Sequence, residues 1–262
     1  MSGEAAALGG VEDLPVFVIS LARATERRAH VAAEFERAGL EYTLFEGIDG
    51  RKEETALLAR TDTDAWQRNM GGPVVLGHLG CYASHVALWE RIGAGPDGVV
   101  LVCEDDVTLR PDFREALEAA LSCAMDWDIC RLARVRAKGP ITLRHIGRFR
   151  LNAYWGPFTG NACYLIRRET AARLAQEFWP IRRAHDHELN RFFVYDIRLM
   201  GLEPFAARPE DHGESFITGR AMRGAPKFAT WRRLPHYVQK AANYLRRIVW
   251  LGRQGFLGPR RR

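Results

Sequence analysis

The chain has 262 residues, 47% hydrophobic and 27% charged, enough apolar side chain to bury a full core. No apolar run approaches the roughly 20 residues a bilayer-spanning helix needs, and Met1–Asp13 lacks the basic start of a secretory signal. Five scattered cysteines (Cys81, Cys103, Cys123, Cys130 and Cys163) have no zinc-type spacing, so reduced thiols are expected. The net charge of +6 is unevenly placed. Beyond Glu214 there is no acidic residue, yet twelve Lys and Arg follow, leaving residues 1–214 net acidic. That asymmetry points to an anionic partner for the C-terminal segment.

Residues 1–14 read as a flexible N-terminus. Val16–Leu21 reads as a buried strand, too continuously apolar to face water on one side. Thr25–Ala38 follows as a helix, with Thr25 as its cap, Val31 and Phe35 at helical spacing, and Gly39 at the C-terminal stop. Residues 41–47 read as a strand. The polar, weakly periodic stretch 51–72 reads as a mobile loop or lid. A helix is expected over about 78–93, and another over 111–123, opened by a proline. Strands follow at 127–133 and 161–166, and a helix at 168–178. Such alternation implies an α/β domain over residues 15–218 with a mainly parallel sheet.

The chemistry concentrates in Val99–Val107, a buried-strand run that ends in Glu104, Asp105 and Asp106. Continued strand alternation would put Glu104 and Asp106 on one side and Asp105 on the other. Two carboxylates on one side repel unless a cation sits between them, and hard oxygen donors suit Mg²⁺ or Mn²⁺, ions that also grip nucleotide phosphates. The competing reading is an acidic strand exit neutralised by Arg110 or a helix N-terminus. Arg23, Arg27 and Arg28 follow the first strand, where open α/β sheets bind ligands. They would meet a diphosphate, or simply lie on a solvated helix face.

Three segments together resemble glycosyltransferase family 25: residues 16–21 with Arg23 and Arg27, Gly77–His85 with Leu88 and Trp89, and residues 101–107. Residues 45–50, 127–129 and 160–166 and the pair Asp186–His187 extend the resemblance over about 15–217. The family contains bacterial lipooligosaccharide galactosyltransferases and animal collagen galactosyltransferases. The resemblance implies a GT-A fold, Rossmann-like with helices on both faces of the sheet, and inverting transfer from a nucleotide sugar. Asp106 is then expected on the metal, with Glu104 on the metal, on a metal-bound water or on the ribose hydroxyls, and His212 as a further ligand or a surface-loop residue. Asp186 is expected as the base that takes the acceptor proton, with Glu188 as its substitute.

Read alone, Ser84 and His85 are helix packing; within the resemblance they line the substrate pocket, as do Gly160 and Asn161. The Gly-rich start of their helix allows close backbone approach to a ligand. His185 and His187 read as support. Tyr154, Trp155, Phe158 and Trp179 are either core or stacking surfaces.

The segment 219–262 reads as a basic amphipathic helical tail. Leu234, Val238, Ala241, Leu245, Ile248 and Val249 form one apolar stripe, with basic residues such as Lys240 and Arg253 elsewhere. The tail either lies on an anionic membrane or docks on the body.

The reading is a cytoplasmic enzyme, peripheral on the inner face of the membrane. It would be Mn²⁺- or Mg²⁺-dependent and move a hexose, galactose from UDP-galactose foremost, onto a lipooligosaccharide or other surface glycan. The alternatives are an inactive nucleotide-sugar-binding or scaffold protein, or a basic nucleic-acid-associated protein, although no nucleic-acid-binding motif is present.

Overall fold

The computed structural model describes residues 10–96, 98–210 and 227–258. Their first half alternates strand and helix: β1 (Val16–Ser20), α1 (Thr25–Ala38), β2 (Thr43–Glu46), α2 (Glu54–Ala59), α3 (Thr63–Met70), α4 (Leu76–Ala94) and β3 (Val99–Glu104). Next come β4 (Val107–Leu109), α5 (Phe113–Ser122), β5 (Ile129–Arg131), β6 (Arg136–Ala137), β7 (Pro140–Ile146), β8 (Phe149–Tyr154), β9 (Phe158–Thr159) and β10 (Cys163–Arg167). The chain continues through α6 (Arg168–Glu177), α7 (His185–Leu189), α8 (Phe192–Tyr195), β11 (Leu199–Glu203), β12 (Ala207–Pro209) and α9 (Leu234–Arg253).

The central sheet has eight strands in the order β2-β1-β3-β10-β5-β11-β8-β7. Six run the same way and only β10 and β8 are reversed, so the mainly parallel α/β architecture read from sequence is present. From β1 the chain crosses through α1 to β2 on one side, then through α2–α4 to β3 on the other. Right-handed crossovers in opposite directions place α1 and α4 on opposite faces. The apolar run of β3 is buried throughout, and Trp89, Trp127, Tyr164 and Phe178 fill the layers beside the sheet.

α1 matches its sequence limits. Ala24 is its cap and Thr25 its first helical residue, while Gly39 ends it in the left-handed conformation. Two expectations are corrected. Residues 51–72 are not a structureless loop but hold α2 and α3, anchored by buried Leu57 and Trp66; Asp62 caps α3 by accepting the Ala65 N–H at 2.9 Å. Residues 11–13 form a 3₁₀ turn that buries Val11, so the described end of the N-terminus is packed. Beyond these, Gly80 at the start of α4 brings the helix against another part of the chain, while Gly77 lines the cleft described below. A Cβ on Gly80 would lie 2.5 Å from the Ile48 carbonyl oxygen, and one on Gly50 would lie 1.9 Å from that of Leu76. Backbone therefore packs on backbone, pressing α4 onto the turn after β2.

The tail docks on the body through one face of α9. Trp250 and Leu251 are buried, and the Trp250 indole donates to Asp196 at 2.7 Å. Leu234, Val238, Leu245, Ile248 and Val249, the stripe read from the sequence, point outward and are exposed. No helix among the described residues is long and apolar enough to cross a membrane.

Replacing Gly80 by Ala forces α4 away from the turn at 48–50. The expected loss is about 1–3 kcal/mol, seen as a melting temperature lowered by roughly 2–10 °C in a chain of this size.

Candidate active site

The carboxyl ends of β1 and β3, the turn after β2 and the first half of α4 enclose one cleft. It is lined by Arg23, Arg27, Asp49, His85, Glu104, Asp105 and Asp106 among others. It continues into a cavity of about 480 Å³ between α2 and α4, sharing Leu21, Arg23, Gly47, Ile48 and Asp49 with it. Ligands of open α/β sheets bind outside the carboxyl ends of strands, and the cleft lies there.

Strand geometry stops at Glu104, and Asp105 and Asp106 form a turn before β4. Alternation therefore does not govern them, and Asp105 does not point away from the cleft. Its buried carboxylate accepts from Ser20 Oγ at 2.7 Å and from Arg27 Nη1 at 3.1 Å. The same guanidinium lies 3.8 Å from Asp106 Oδ2. Arg23 reaches instead to Asp49, at 3.1 Å. Arg110, a counter-charge considered from sequence, pairs with Asp112.

Glu104 turns toward α4. A carboxylate only accepts, so His85 Nε2–H donates to Glu104 Oε1 at 3.1 Å. On the other side of the ring, His85 Nδ1 lies 2.9 Å from the Tyr164 hydroxyl, which also accepts from Trp89 Nε1 at 2.9 Å. Ser84 is used differently. Its hydroxyl accepts the Ile48 N–H and donates to the Gly80 carbonyl, both at 2.7 Å, bracing the turn after β2.

Asp106 is the electrostatic anomaly. Burial, then repulsion by Glu104, outweighs the attraction of Arg27 and lifts its carboxyl to about 8. Its Oδ1 is buried without a hydrogen-bond partner. A crowded carboxylate with an unused oxygen fits a hard divalent cation held by Asp106 with Glu104. The ligand atoms of Cys81, His85 and Glu104 also lie within 4.8 Å of one another. Burial and the surrounding carboxylates push the Cys81 thiol well up, which keeps it neutral and leaves the carboxylates as the hard donors. β12 leads the chain back to the acidic turn, where the Glu210 N–H meets the Asp106 carbonyl at 2.6 Å. His212 lies outside the described residues.

Asp186 occupies a second cavity with His78, beside the start of α4. Its Oδ2 accepts the Gly160 N–H at 3.2 Å. Gly160 sits at φ +102°, and a Cβ there would lie 2.5 Å from Val135 N, so the position demands glycine. Burial alone would raise the Asp186 carboxyl, but the charges of His187, Arg131 and His78 win and hold it low. It is therefore an ionised, partly buried acceptor. Asn161 stands behind it: its Oδ1 accepts from fully buried Arg131 and its amide donates to His185 Nδ1, both at 2.5 Å. His185 in turn stacks on His85 at 4.2 Å, joining the two cavities through one packed layer.

Glu188 is saturated. It accepts from Arg183 at 2.6 Å, Arg191 at 2.8 Å and the Tyr195 hydroxyl at 2.7 Å, and it lines none of these cavities. Tyr154 and Phe158 are core rings stacked on each other, whereas Trp179 lines the cavity after β2 with the Arg60 guanidinium 3.3 Å from its ring centre. Sequence reasoning missed Asp49, His78 and Arg131. Asp49 and His78 had a signal, their places in the 45–50 turn and the Gly77–His85 segment; Arg131 had none.

The raised Asp106 carboxyl carries a stability consequence. A carboxyl pushed up on folding penalises the native state increasingly as pH rises from about 4 to about 8, and by a constant amount above that. Asp106→Asn removes the penalty. In metal-free protein the variant is expected to melt at the same temperature as wild type near pH 4 and at least about 2 °C higher near pH 8, as calorimetry across that range would show.

The sequence profile of glycosyltransferase family 25 (LPS biosynthesis protein) matches residues 13–189. A rat protein named "Probable inactive glycosyltransferase 25 family member 3" is 32% identical over 215 residues, which is 74% of this chain and 38% of that protein. A "Glycosyltransferase 25 family member" from Anopheles gambiae is 31% identical over 132 residues, 46% of this chain and 22% of its own length. The chain thus spans well under half of these relatives. Among solved structures, the apo-form glycosyltransferase GlyE of Streptococcus pneumoniae aligns over 92% of this chain and 64% of its own, at 10% identity and a TM-score of 0.40. With the family profile covering most of the ordered α/β domain, the chain belongs to glycosyltransferase family 25.

Proposed function

We propose that this chain is a metal-dependent, inverting hexosyltransferase that uses a UDP-sugar, galactose foremost, and delivers the sugar to a lipooligosaccharide or other surface-glycan acceptor. The observation that carries the reading is the crowding of Glu104, Asp105 and Asp106 at the end of β3, with a buried Asp106 oxygen that has no hydrogen-bond partner and would serve as a ligand for the cation such a donor needs. The family of the chain suggests the donor and acceptor classes.

Arg23 and Arg27 reach the cleft from the start of α1 and present guanidinium groups where a diphosphate would lie. Mn²⁺ or Mg²⁺ held by Asp106 and Glu104 would neutralise charge on the leaving nucleoside diphosphate. The cavity after β2, with Trp179 and Ile48, offers apolar wall for the base. Asp186, ionised and held by Gly160 N–H, takes the proton of the acceptor hydroxyl as that oxygen attacks the sugar carbon. The proton leaves the attacking oxygen as the new bond forms, and the bond to the diphosphate breaks on the opposite side.

The outward stripe on α9, with Arg253 beside it and Arg260–Arg262 following in sequence, supports attachment to an anionic bilayer. Each basic residue near such a surface contributes about 1 kcal/mol.

Two outcomes are expected. Asp186→Asn lowers hexose transfer by about 10²–10⁴-fold with UDP affinity unchanged; loss of UDP binding would place Asp186 in the donor site instead, and a wild-type chain that binds UDP but transfers no hexose would be an inactive binder. Sedimentation with phosphatidylglycerol vesicles should fall as salt is raised and fall again in Leu245→Asp/Ile248→Asp; binding indifferent to both contradicts the membrane reading.

A further inference from the structure

The cavity that holds Asp186 is built from two parts of the chain. Its floor comes from α3 and the stretch up to His78, residues 135–136 and 157–159, and α7 through Arg191; its roof comes from Lys227, Arg233 and the inner face of α9. It measures about 470 Å³, room for a monosaccharide with a substituent.

Its charge is one-sided. Arg136, Lys227, Arg233, Lys240 and Arg247 line it, as do Arg183 and Arg191, and Asp186 is the only carboxylate lining it among the described residues. Glu188, behind the wall, compensates Arg183 and Arg191. Arg247 has no such partner. It is buried, donates only to the main-chain carbonyls of Trp155 and Asn190, and pairs with no carboxylate among the described residues. Aromatic faces of Phe192, Phe193 and Tyr244 at 5.5–5.8 Å soften its burial without neutralising it. The Nε–H groups of Arg191, Arg233 and Arg247 are all buried without an acceptor. Buried cations and orphaned donors are costly unless something anionic answers them.

We propose that this cavity is the acceptor subsite and that the acceptor is anionic: a phosphate or carboxylate on the sugar that presents its hydroxyl to Asp186 is held by the basic roof. The inference rests on the transferase reading for the role of Asp186. Eleven of its 25 lining residues lie beyond residue 189, where the family match ends. Acceptor choice is thereby assigned to the C-terminal segment and donor handling to the matched domain. α9 acquires two faces with two tasks, a cationic inner face toward the acceptor and an apolar outer face.

The test uses the full-length chain and four probes: galactose, galactose 6-phosphate, galacturonate and inorganic phosphate, with binding read by tryptophan fluorescence. Lys240→Glu reverses a roof charge, and Lys227→Glu repeats the test at a second exposed position. Arg246→Glu makes the same charge change on α9 away from the cavity. The two acidic sugars should bind about tenfold more tightly than galactose, should weaken about tenfold in the roof variants, and should barely change in Arg246→Glu.

Equal affinity for galactose, equal losses in Arg246→Glu and the roof variants, or inorganic phosphate binding as tightly as galactose 6-phosphate would each overturn the proposal. Phosphatidylglycerol vesicles form a separate arm: roof variants that lose vesicle binding but keep acidic-sugar binding would assign the roof to a lipid headgroup and overturn it too. UDP affinity, measured in the same samples, separates the two readings. Its absence in the wild type refutes the transferase, whereas its retention without any preference for acidic sugars refutes the acceptor inference alone.

Discussion

Three consecutive carboxylates at the end of β3 are the constraint on which the site depends. Each is handled differently. Asp105 is paired with Arg27 and hydrogen-bonded by Ser20, Glu104 is held by the network of Trp89, Tyr164 and His85, and Asp106 keeps a buried oxygen with nothing to bond it. Satisfying two of three leaves an electrostatic deficit at one point. The protein tolerates it because the surrounding sheet and α4 are packed tightly enough to hold the geometry, as expected where stability is spent on function.

α4 transmits that constraint to the rest of the molecule. Gly50 and Gly80 allow it to touch the turn after β2, Ser84 locks the contact, and His85 supports Glu104 from the next position. Two turns earlier, His78 faces the cavity of Asp186. The His85–His185 stack then ties α4 to α7. Burial pushes His185 well down, so it is uncharged in this layer. A single helix thereby sets the separation between the cleft proposed for the donor and the base proposed for the acceptor. A change in its packing should be felt at both.

Much of this organisation was legible in the sequence because it is local. The apolar run of β1, the Gly39 stop of α1 and the acidic exit of β3 each follow from chain-neighbour physics. What was lost is what local rules do not contain. Alternation misplaced Asp105 because strand pairing ends one residue earlier, at Glu104. Glycines near Ser84 signalled close approach, but not that the approaching group was the chain's own backbone. The helices at 54–59 and 63–70 are too short to show a period, although Asp62 is a recognisable cap. The β7–β8 hairpin, turning at Gly147, carries alternation that was overlooked. For α9, periodicity revealed the stripe but not its direction. Trp250, Leu251 and Arg247 decide that, and they lie on the opposite face.

The central claim is that the carboxylates at the end of β3 hold a cation that serves a nucleotide. Calorimetric titration of UDP into the full-length chain, with Mn²⁺ and then with EDTA, tests it most directly, with Asp106→Asn alongside. Mn²⁺ should tighten UDP binding by at least about tenfold in the wild type and leave the variant unchanged. UDP affinity that is the same in EDTA as in Mn²⁺ would contradict the account.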